Sequence, residues 1–429
     1  MQLVVIGGGF GTRMKSEGYD LPKLLLNVNG KSLIENIVEE AIMEEVSKIT
    51  WILGFEAEKV KTEISKVANV GLQQEVFVEK RQLGTLGALI QAYSVLEEEF
   101  CVLLGDLWVK SANLKGVFKH FLNTQDSMIV MSKATTHPED SDLLELDQVN
   151  SVKRFHPYPH AALTPLPIGS SGVFLLRKEI IPQSLPLESK DIAKSLLPSL
   201  IKKQDNVRAI FHQGVIRDVG TPNRFKEASQ GLNMVSKLND KTAIFFDRDG
   251  TLNVEKGYIK EIDQVELIPG IDKVLKMAKR AFNFCGLLTN QPIIARGEAT
   301  INQVIDVNAR ILEIAELEMN YFDVVEICPH HPDRGFRGEV EELKIDCLCR
   351  KPYPGMLLEA ARKLSIRLTN CIYVGNTEAD LIAAERVLCR WIHIKSKEDS
   401  ECAHNFGQNL GICLDAFQLF EYLREMDSQ

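Results

Sequence analysis

The chain has no apolar run long enough to span a bilayer and no surplus of basic residues. Its formal net charge of -9 provides no basic surface that could attract nucleic acid or acidic lipid. No positively charged segment precedes the first apolar run, Leu3 to Ile6, as one does in a secretory signal. We therefore expect a cytoplasmic protein whose partners are neither nucleic acids nor membranes.

The chain also lacks the even set of cysteines that is typical of a disulfide framework. Its nine cysteines cannot all pair within one molecule, and three of them, Cys328, Cys347 and Cys349, lie close in sequence to His330. Reduced thiols fit a cytoplasmic protein better than disulfides do. We expect these cysteines to act as metal ligands and the others to be small apolar or surface residues.

With 429 residues the chain is too long for one ordinary core. Predicted strands such as Lys48 to Leu53 alternate with predicted helices such as Leu33 to Val46 and Ile271 to Ala281. This alternation favours α/β domains with mostly parallel sheets. A polar passage, Ser229 to Lys241, interrupts it before a fresh strand begins at Thr242. We therefore predict two doubly wound α/β domains, over residues 1–236 and 242–429.

A glycine run, Gly7 to Gly11, follows the first predicted strand. Backbone amides in such a run can approach a phosphate closely, because glycine has no side chain to hold the phosphate away. The run is not a Walker A loop, since no Gly-Lys-Ser/Thr is present, and Thr12 stands where a dinucleotide fingerprint has its third glycine. The glycines alone are therefore weak evidence for a nucleotide site.

Four further motifs follow the glycine run in order: Leu21-Pro22-Lys23, Gln82-Leu83-Gly84-Thr85, Leu104-Gly105-Asp106 and Arg217-Asp218-Val219-Gly220. Together they make residues 1 to 236 resemble the sugar-1-phosphate nucleotidyltransferase family. The resemblance implies a glycine loop and an arginine that hold a nucleoside triphosphate, a lysine on its phosphates and two aspartates on Mg²⁺. The residues so implied are Gly8, Gly9, Gly11, Thr12, Arg13, Lys23, Gly84, Thr85, Asp106 and Asp218.

Taken singly, these residues have simpler explanations. Asp106 and Asp218 could cap turns, and Lys23 could form a salt bridge. The ordered set favours catalysis, because nucleotidyl transfer needs no protein nucleophile and depends on positioning, charge neutralisation and a bridging metal. This half departs from its family where Arg154 to His160 replaces the usual Glu-Lys-Pro, so the lysine that meets the sugar phosphate is unassigned.

Two carboxylates mark the start of the second half. Asp247 and Asp249 come directly after the apolar run Ala243 to Phe246. A buried strand that ends in Asp-x-Asp aims both carboxylates beyond its tip, where one can attack phosphorus and the other can handle the proton of the leaving group. A strand-end turn is the alternative, and it would explain Gly250 but not the motifs that follow.

Three later motifs complete the pattern: Leu288-Thr289-Asn290-Gln291, Arg350-Lys351-Pro352 and Val374-Gly375-Asn376 with Asp380. They make residues 242 to 395 resemble the haloacid dehalogenase superfamily of phosphatases, in particular the heptose bisphosphate and histidinol phosphatases. No insertion is long enough for a large cap domain. The resemblance implies a phosphorylated Asp247, an acid and base at Asp249, and a phosphoryl group bound by Thr289 and Lys351.

The same resemblance implies further contacts. Those to the substrate phosphate are Asn290, Arg296 and Arg350, and those to Mg²⁺ are Asp247, Asp249, Asn376 and Asp380. Asn376 stands where relatives have an aspartate, and its amide oxygen can ligate Mg²⁺ but brings no charge. We therefore predict weaker Mg²⁺ binding than in relatives with aspartate at that position.

Three cysteines and a histidine lie between the motifs Leu288-Thr289-Asn290-Gln291 and Arg350-Lys351-Pro352. Three sulfur ligands and one imidazole suit a tetrahedral zinc ion, although scattered buried cysteines are the alternative. The loop between them, Asp333 to Asp346, is charged and poor in apolar residues, so a metal would stabilise it. The resemblance implies structural Zn²⁺ on Cys328, His330, Cys347 and Cys349.

The two resemblances imply consecutive reactions. Removing the 7-phosphate of D-glycero-D-manno-heptose 1,7-bisphosphate leaves a heptose 1-phosphate, the substrate class of the other half. We therefore predict a bifunctional enzyme that makes a nucleotide-activated heptose for lipopolysaccharide or capsule, with GTP favoured by resemblance to heptose-1-phosphate guanylyltransferases. The alternatives are a histidinol-phosphate-type phosphatase fused to another transferase, and a first half that only senses a sugar nucleotide. The oligomeric state, a homo-oligomer included, is left open.

Overall fold

The structure is a computed structural model that describes residues 1–9, 21–67, 71–160, 166–185, 188–231, 238–394 and 411–427. The chain divides into two compact units, Met1–Lys237 and Leu238–Gln429. None of the described helices has the length and apolar character needed to cross a membrane. The predicted fold class, two α/β domains rich in parallel strands, is confirmed, whereas the predicted domain limits remain a proposal.

The first unit is built on one large sheet and two separate two-stranded ribbons. Its strands are β1 (Gln2–Ile6), β2 (Asn27–Val28), β3 (Lys31–Ser32), β4 (Lys48–Leu53), β5 (Gln73–Val78), β6 (Glu99–Leu104), β7 (Leu107–Lys110), β8 (Met128–Ala134), β9 (Leu143–Leu146), β10 (Val152–His156), β11 (Ile168–Arg177), β12 (Val207–Phe211) and β13 (Val215–Asp218). Its α-helices span Leu33–Met43, Ala57–Lys66, Gly84–Gln91, Leu114–Leu122, Leu197–Lys203 and Pro222–Gly231.

The centre of this sheet is parallel. β6, β1, β4 and β5 lie side by side and all run in one direction. Ile6 pairs with Leu104, so the glycine run and Asp106 leave the sheet at the same edge. The carboxyl edge of parallel strands is where α/β proteins bind ligands. The outer strands β8, β9 and β11 pair antiparallel, which the sequence patterns did not predict.

The second unit has one six-stranded sheet in the order β16-β15-β14-β17-β18-β19, with every pair parallel. Its strands are β14 (Ala243–Phe246), β15 (Phe284–Asn290), β16 (Val324–Cys328), β17 (Ile372–Gly375), β18 (Arg390–Ile394) and β19 (Gly411–Leu414). Its α-helices span Ile271–Ala281, Pro292–Ala295, Ile301–Ile314, Gly355–Leu364, Glu378–Glu385 and Ala416–Asp427.

Local sequence explains why these elements form. The helix Ile271–Ala281 buries Ile271, Val274, Leu275 and Ala278, which recur at the spacing of one helical face. Every residue of β14 is buried, as expected for a strand covered on both faces. β15 and β16 extend the sheet on one side of β14, and β17, β18 and β19 extend it on the other side. The tip of β14 therefore lies at a topological switch point. That tip is followed by Asp247.

Candidate active sites

In the first unit, Lys23, Asp106 and Asp218 converge at Gly220. A Cβ atom built on Gly220 would lie 2.7 Å from Asp106 Oδ2, 2.8 Å from Lys23 Nζ and 2.9 Å from Asp218 Oδ1. Lys23 Nζ lies 2.7 Å from Asp106 Oδ2. The structure thus brings together three residues that the sequence singled out in separate motifs, around a space that only glycine leaves open.

The backbone explains this convergence. Asp106 lies between β6 and β7, and Asp218 ends β13, which pairs with β7 so that Asp218 stands opposite Leu107. Val219 N donates to Asp106 O at 2.9 Å. The two carboxylates are therefore held side by side although 112 positions separate them in the chain. Two neighbouring carboxylates at a partly exposed site are donors that Mg²⁺ accepts, so the residues fit the predicted metal.

A cavity of about 420 Å³ lies beside this cluster at the carboxyl edge of β1 and β6. Six residues implied in nucleotide or metal binding line it: Gly8, Gly9, Lys23, Gly84, Thr85 and Asp106. Gly84 has a φ of +77°, and a Cβ there would lie 2.4 Å from Lys190 O, so glycine is required. The remaining residues of the predicted glycine loop, Gly11, Thr12 and Arg13, lie outside the described residues.

The hydroxyl of Thr85 is already engaged in the cavity wall. It donates to Asp191 Oδ1 at 3.1 Å and accepts from Ile192 N at 2.9 Å. Thr85 thus ties the loop after Gln82 to the segment that begins at Asp191. Its predicted contact to a nucleotide stays a prediction.

Glu79 also lines this cavity, and the sequence patterns did not single it out. Its carboxylate lies against two glycines, since a Cβ on Gly8 would come within 1.8 Å of Glu79 Oε1 and a Cβ on Gly54 within 2.4 Å. Burial raises the pKa of Glu79 to about 7. In the sequence, only its position three residues before the motif that starts at Gln82 indicated that Glu79 could belong to the site.

In the second unit, Asp247 and Asp380 hold Lys351 between them. Lys351 Nζ lies 2.6 Å from Asp247 Oδ1 and 2.6 Å from Asp380 Oδ1. It also donates to Tyr373 OH at 2.8 Å and to Leu288 O at 3.2 Å. All three charged side chains are at most one-tenth exposed, so the cluster is a buried ion triad.

The triad shifts the ionisation of its members. Burial raises the pKa of Asp247 to about 7, although Lys351 opposes the shift. Burial also disfavours the charged form of Asp380, but Lys351 and the hydrogen bonds from Thr377 outweigh it and lower the pKa of this carboxyl. Lys351 keeps a raised pKa, because two carboxylates outweigh its burial. The lysine is therefore charged where an incoming phosphate would arrive.

Asp380 has a full set of partners. Its Oδ1 accepts from Tyr373 OH at 2.9 Å besides Lys351, and its Oδ2 accepts from Thr377 N at 3.0 Å and Thr377 Oγ1 at 2.6 Å. These bonds occupy the acceptor sites of a carboxylate. The structure thus places Asp380 where it orients Lys351, and its predicted role as a Mg²⁺ ligand remains untested. Tyr373, hidden in an apolar run, was missed by sequence reasoning.

Asp249 is oriented by its neighbours. The fully buried Arg248 donates to both of its oxygens, Nε to Oδ1 at 3.0 Å and Nη2 to Oδ2 at 2.8 Å. Gln291 Nε2 donates to Asp249 Oδ2 at 2.9 Å and to Thr289 Oγ1 at 2.9 Å. One glutamine therefore links the predicted acid and base to the predicted phosphoryl-binding threonine.

Asn376 packs on the loop that follows Asp249. A Cβ built on Gly250 would lie 2.0 Å from Asn376 Nδ2, and Thr251 Oγ1 donates to Asn376 Oδ1 at 3.4 Å. Asp247 is nearby, because Asp247 N donates to Val374 O at 2.9 Å. A carboxylate and an amide oxygen at this edge fit Mg²⁺, with one charge fewer than an aspartate at Asn376 would provide.

The three residues predicted to bind the substrate phosphate have different surroundings. The Asn290 amide bonds to the backbone of Lys351, with Nδ2 donating to Lys351 O and Oδ1 accepting from Lys351 N, each at 3.1 Å. Arg296 stacks between the rings of Tyr258 and Phe336, at 4.6 and 4.5 Å. Arg350 donates to the carbonyl of His330 at 3.4 Å. Asn290 thus positions Lys351, while the two arginines belong to the neighbouring loops.

The predicted metal ligands Cys328, His330, Cys347 and Cys349 form one cluster, with their ligand atoms all within 4.8 Å of one another. The sulfur of Cys349 lies 3.2 Å from that of Cys347, 3.4 Å from that of Cys328 and 3.2 Å from His330 Nδ1. The sulfurs of Cys328 and Cys347 lie 3.7 Å apart, close to the separation of about 3.8 Å that a tetrahedral zinc with bonds of about 2.3 Å requires. Three thiols and an imidazole in one such cluster are donors that suit zinc.

Comparisons with known proteins match both units to known families. Residues 2–234 match the family described as nucleotidyl transferase, and residues 252–387 match haloacid dehalogenase-like hydrolases. The D-glycero-beta-D-manno-heptose-1,7-bisphosphate 7-phosphatase of Escherichia coli K12 is 40% identical over 143 residues, which are 33% of this chain and 72% of that protein. The Haemophilus influenzae protein of that name is 41% identical over 142 residues, 33% of this chain and 74% of its own.

Among solved structures, HddC from Yersinia pseudotuberculosis is 23% identical, with a TM-score of 0.46 over 54% of this chain and 99% of its own. The family match over residues 2–234 spans more than half of the chain, and the match over residues 252–387 covers most of the second unit. The chain therefore belongs to the nucleotidyl transferase family and joins to that domain a haloacid dehalogenase-like hydrolase domain, which makes it both a nucleotidyltransferase and a phosphatase.

Proposed function

We propose that this enzyme removes the 7-phosphate of D-glycero-D-manno-heptose 1,7-bisphosphate and then transfers GMP from GTP to the resulting heptose 1-phosphate. The observation that carries the proposal is the Asp247–Lys351–Asp380 triad, which lies in a domain about 40% identical to heptose bisphosphate phosphatases. The same chain holds the Lys23, Asp106 and Asp218 cluster of a nucleotidyltransferase. The product would be GDP-D-glycero-D-manno-heptose.

In the phosphatase reaction, an oxygen of Asp247 attacks phosphorus, and the bond from phosphorus to the sugar O7 breaks. Lys351 neutralises charge on the transferring phosphoryl group, while Asp249 protonates O7 as it leaves. Asp249 then takes a proton from water, whose oxygen attacks phosphorus and releases inorganic phosphate and free Asp247. Asp247 and Asn376 would hold Mg²⁺, which would offset the repulsion between a carboxylate and an anionic phosphate.

In the transfer reaction, a phosphate oxygen of heptose 1-phosphate attacks the α-phosphorus of the nucleotide, and pyrophosphate leaves. The amides of Gly8 and Gly9 can face the nucleotide phosphates, and Lys23 neutralises part of their charge. Asp106 and Asp218 would hold Mg²⁺, which would stabilise negative charge on the reacting phosphates. No protein nucleophile is needed.

The order of the two steps can be measured with the whole chain. We expect heptose 1,7-bisphosphate to release inorganic phosphate without any nucleotide, and to yield pyrophosphate only after that release and only when a nucleotide is added. Free phosphate and pyrophosphate are followed in parallel with each of the four nucleoside triphosphates. Absence of pyrophosphate with every nucleotide would contradict the bifunctional proposal, and pyrophosphate that precedes phosphate would contradict the order.

Guanine is supported by the acceptors that line the nucleotide cavity. Glu79 presents a carboxyl group there that is ionised above its raised pKa of about 7, and Gln82 Oε1 is buried with no hydrogen-bond partner among the described residues. Guanine presents two adjacent donors, N1–H and the N2 amino group, which a carboxylate can accept together. Cytosine and adenine place a ring acceptor beside their amino group, so they would bring a lone pair against this carboxylate.

We predict that Glu79→Gln raises the KM for GTP by about 10- to 100-fold, because the amide can accept only one of the two donors. Steady-state pyrophosphate release with heptose 1-phosphate measures the change for each nucleotide. Glu58→Gln, an exposed position in the first turn of the helix Ala57–Lys66, is the matched control. An unchanged GTP preference in Glu79→Gln would remove this support for guanine.

The proposed metal at Cys328, His330, Cys347 and Cys349 is zinc. The loop that it closes ends at Arg350 and Lys351, so the metal would hold the catalytic lysine in place. We predict one zinc per chain by elemental analysis, and a loss of most phosphatase activity in Cys347→Ser with nucleotidyl transfer retained. Cys371→Ser, a buried cysteine outside the cluster, is the control. A Cys347→Ser protein with full zinc content would contradict the assignment.

A further inference from the structure

A second cavity of about 640 Å³ adjoins the nucleotide cavity in the first unit. The two cavities share Leu104, Asp106 and Asp191, and Asp218 lines the second one. Both predicted metal ligands therefore face this space, which the glycine run does not line. A group that reacts with a nucleotide at Asp106 and Asp218 has to approach from a cavity of this kind.

Four basic side chains line the second cavity, and two of them are neutralised. Arg224 forms ion pairs with Asp218 and Asp140. Lys194 donates to Tyr158 O at 2.8 Å and lies 4.0 Å from Asp142. These two cations already have acidic or carbonyl partners in the cavity wall.

The other two cations, Lys133 and Arg217, form no ion pair within the described part of the chain. Lys133 is half-buried near the end of β8, and its Nζ reaches one partner, the carbonyl of Ile216, at 3.5 Å. Ile216 is the neighbour of Arg217 in β13. Lys133 thus lies close enough to Arg217 for their positive charges to repel, and Asp218 and Asp140 are the nearest counter-charges.

The electrostatics agree with this geometry. Burial lowers the pKa of Lys133, and the positive charge of Arg217 is the next largest cause. Asp218 and Asp140 offset part of this repulsion. A bound phosphate would offset more of it, because phosphate accepts hydrogen bonds from lysine and arginine together. His212, which also faces the cavity, is kept neutral because burial lowers its pKa to about 4.

We propose that Lys133 and Arg217 bind the phosphate of the acceptor sugar 1-phosphate, in place of the lysine that the missing Glu-Lys-Pro would have supplied. The identity of the sugar rests on the proposed function, whereas the phosphate site rests on the cavity and its cations. A phosphate held there would face Asp106 and Asp218, with an oxygen directed toward the nucleotide cavity.

The test measures binding by calorimetry with the full chain, using heptose 1-phosphate and mannose 1-phosphate as ligands. We expect Lys133→Met to raise the Kd by about 10- to 100-fold and Arg217→Gln to raise it less. Lys133→Arg, which keeps the positive charge, should retain most of the wild-type affinity. The control Lys153→Met, an exposed lysine paired with Asp147, should leave the Kd unchanged. Lys351→Met reports any binding of these sugar phosphates at the phosphatase site.

Titrating GTP into the same variants shows whether the first unit is folded and which phosphate the cations bind. The inference is overturned if the wild-type protein does not bind sugar 1-phosphates, or if Lys133→Met binds them as tightly as the wild-type protein does. It is also overturned if Lys133→Met lowers the affinity for GTP instead of the affinity for sugar 1-phosphates. Binding that depends on Lys133 without pyrophosphate formation would uphold this inference and reject the proposed transfer reaction.

Discussion

Replacing Asp247 by asparagine is expected to lower phosphatase activity by about 10,000-fold. The amide has no anionic oxygen to attack phosphorus, and Lys351 would lose one of the two carboxylates that hold it. Nucleotidyl transfer to added heptose 1-phosphate should stay unchanged, because its reacting groups belong to the other unit. Phosphate release from heptose 1,7-bisphosphate and pyrophosphate release from GTP with heptose 1-phosphate measure the two activities.

Asp263→Asn makes the same chemical change at an exposed position of the second unit and should leave both activities intact. If Asp247→Asn retained more than about a hundredth of the phosphate release, another group would have to be the nucleophile. The phosphorylated intermediate provides a second test. Brief exposure to substrate with a labelled 7-phosphate should label the wild-type protein and not Asp247→Asn. Labelling of both proteins would contradict the mechanism.

Asp106→Asn is expected to impair nucleotidyl transfer and to leave phosphatase activity intact. Nucleotidyl transfer should fall by about 1,000-fold, because the site loses one of its two adjacent carboxylates and with it the charge that a bridging metal needs. Lys23 would also lose the partner that lies 2.7 Å away. Phosphate release from heptose 1,7-bisphosphate should continue at its normal rate, so heptose 1-phosphate should accumulate in the presence of GTP.

Asp205→Asn, which lines neither cavity, is the matched control for this variant. Chromatographic analysis of the sugar phosphates separates the two outcomes. If Asp106→Asn still formed pyrophosphate at the normal rate, the cluster around Gly220 would not be the transfer site. If phosphate release fell as well, the two activities would not be independent.

Much of the fold follows from local patterns. The predicted strand Lys48 to Leu53 and the predicted helix Ile271 to Ala281 have those limits in the structure, because each depends on the spacing of its own apolar residues. The helix predicted over Leu33 to Val46 begins at Leu33 but ends at Met43. The antiparallel strands around β11 depend on pairing between distant segments, which no local pattern specifies.

Some site residues could likewise be predicted from local motifs, and others could not. Asp247, Asp249 and Lys351 could be proposed from short motifs, since each chemistry requires a residue type at a set distance from a strand end. Glu79 and Lys133 could not, because nothing beside them in the chain marks a carboxylate or a lysine as facing a cavity. The role of Asp380 also depended on structure, since Tyr373 and Lys351 contact its Oδ1 and Thr377 contacts its Oδ2.

The amino-acid sequence alone was enough to predict two α/β domains, the family resemblance of each, and the residue types in both sites. Three-dimensional contacts were needed to establish that Lys351 meets Asp247 across 104 positions and that Asp106 and Asp218 share one cluster with Lys23. The physical reason is range: helical and strand periodicity act between near neighbours, whereas an ion pair or a cavity wall depends on which strand ends the sheet places together.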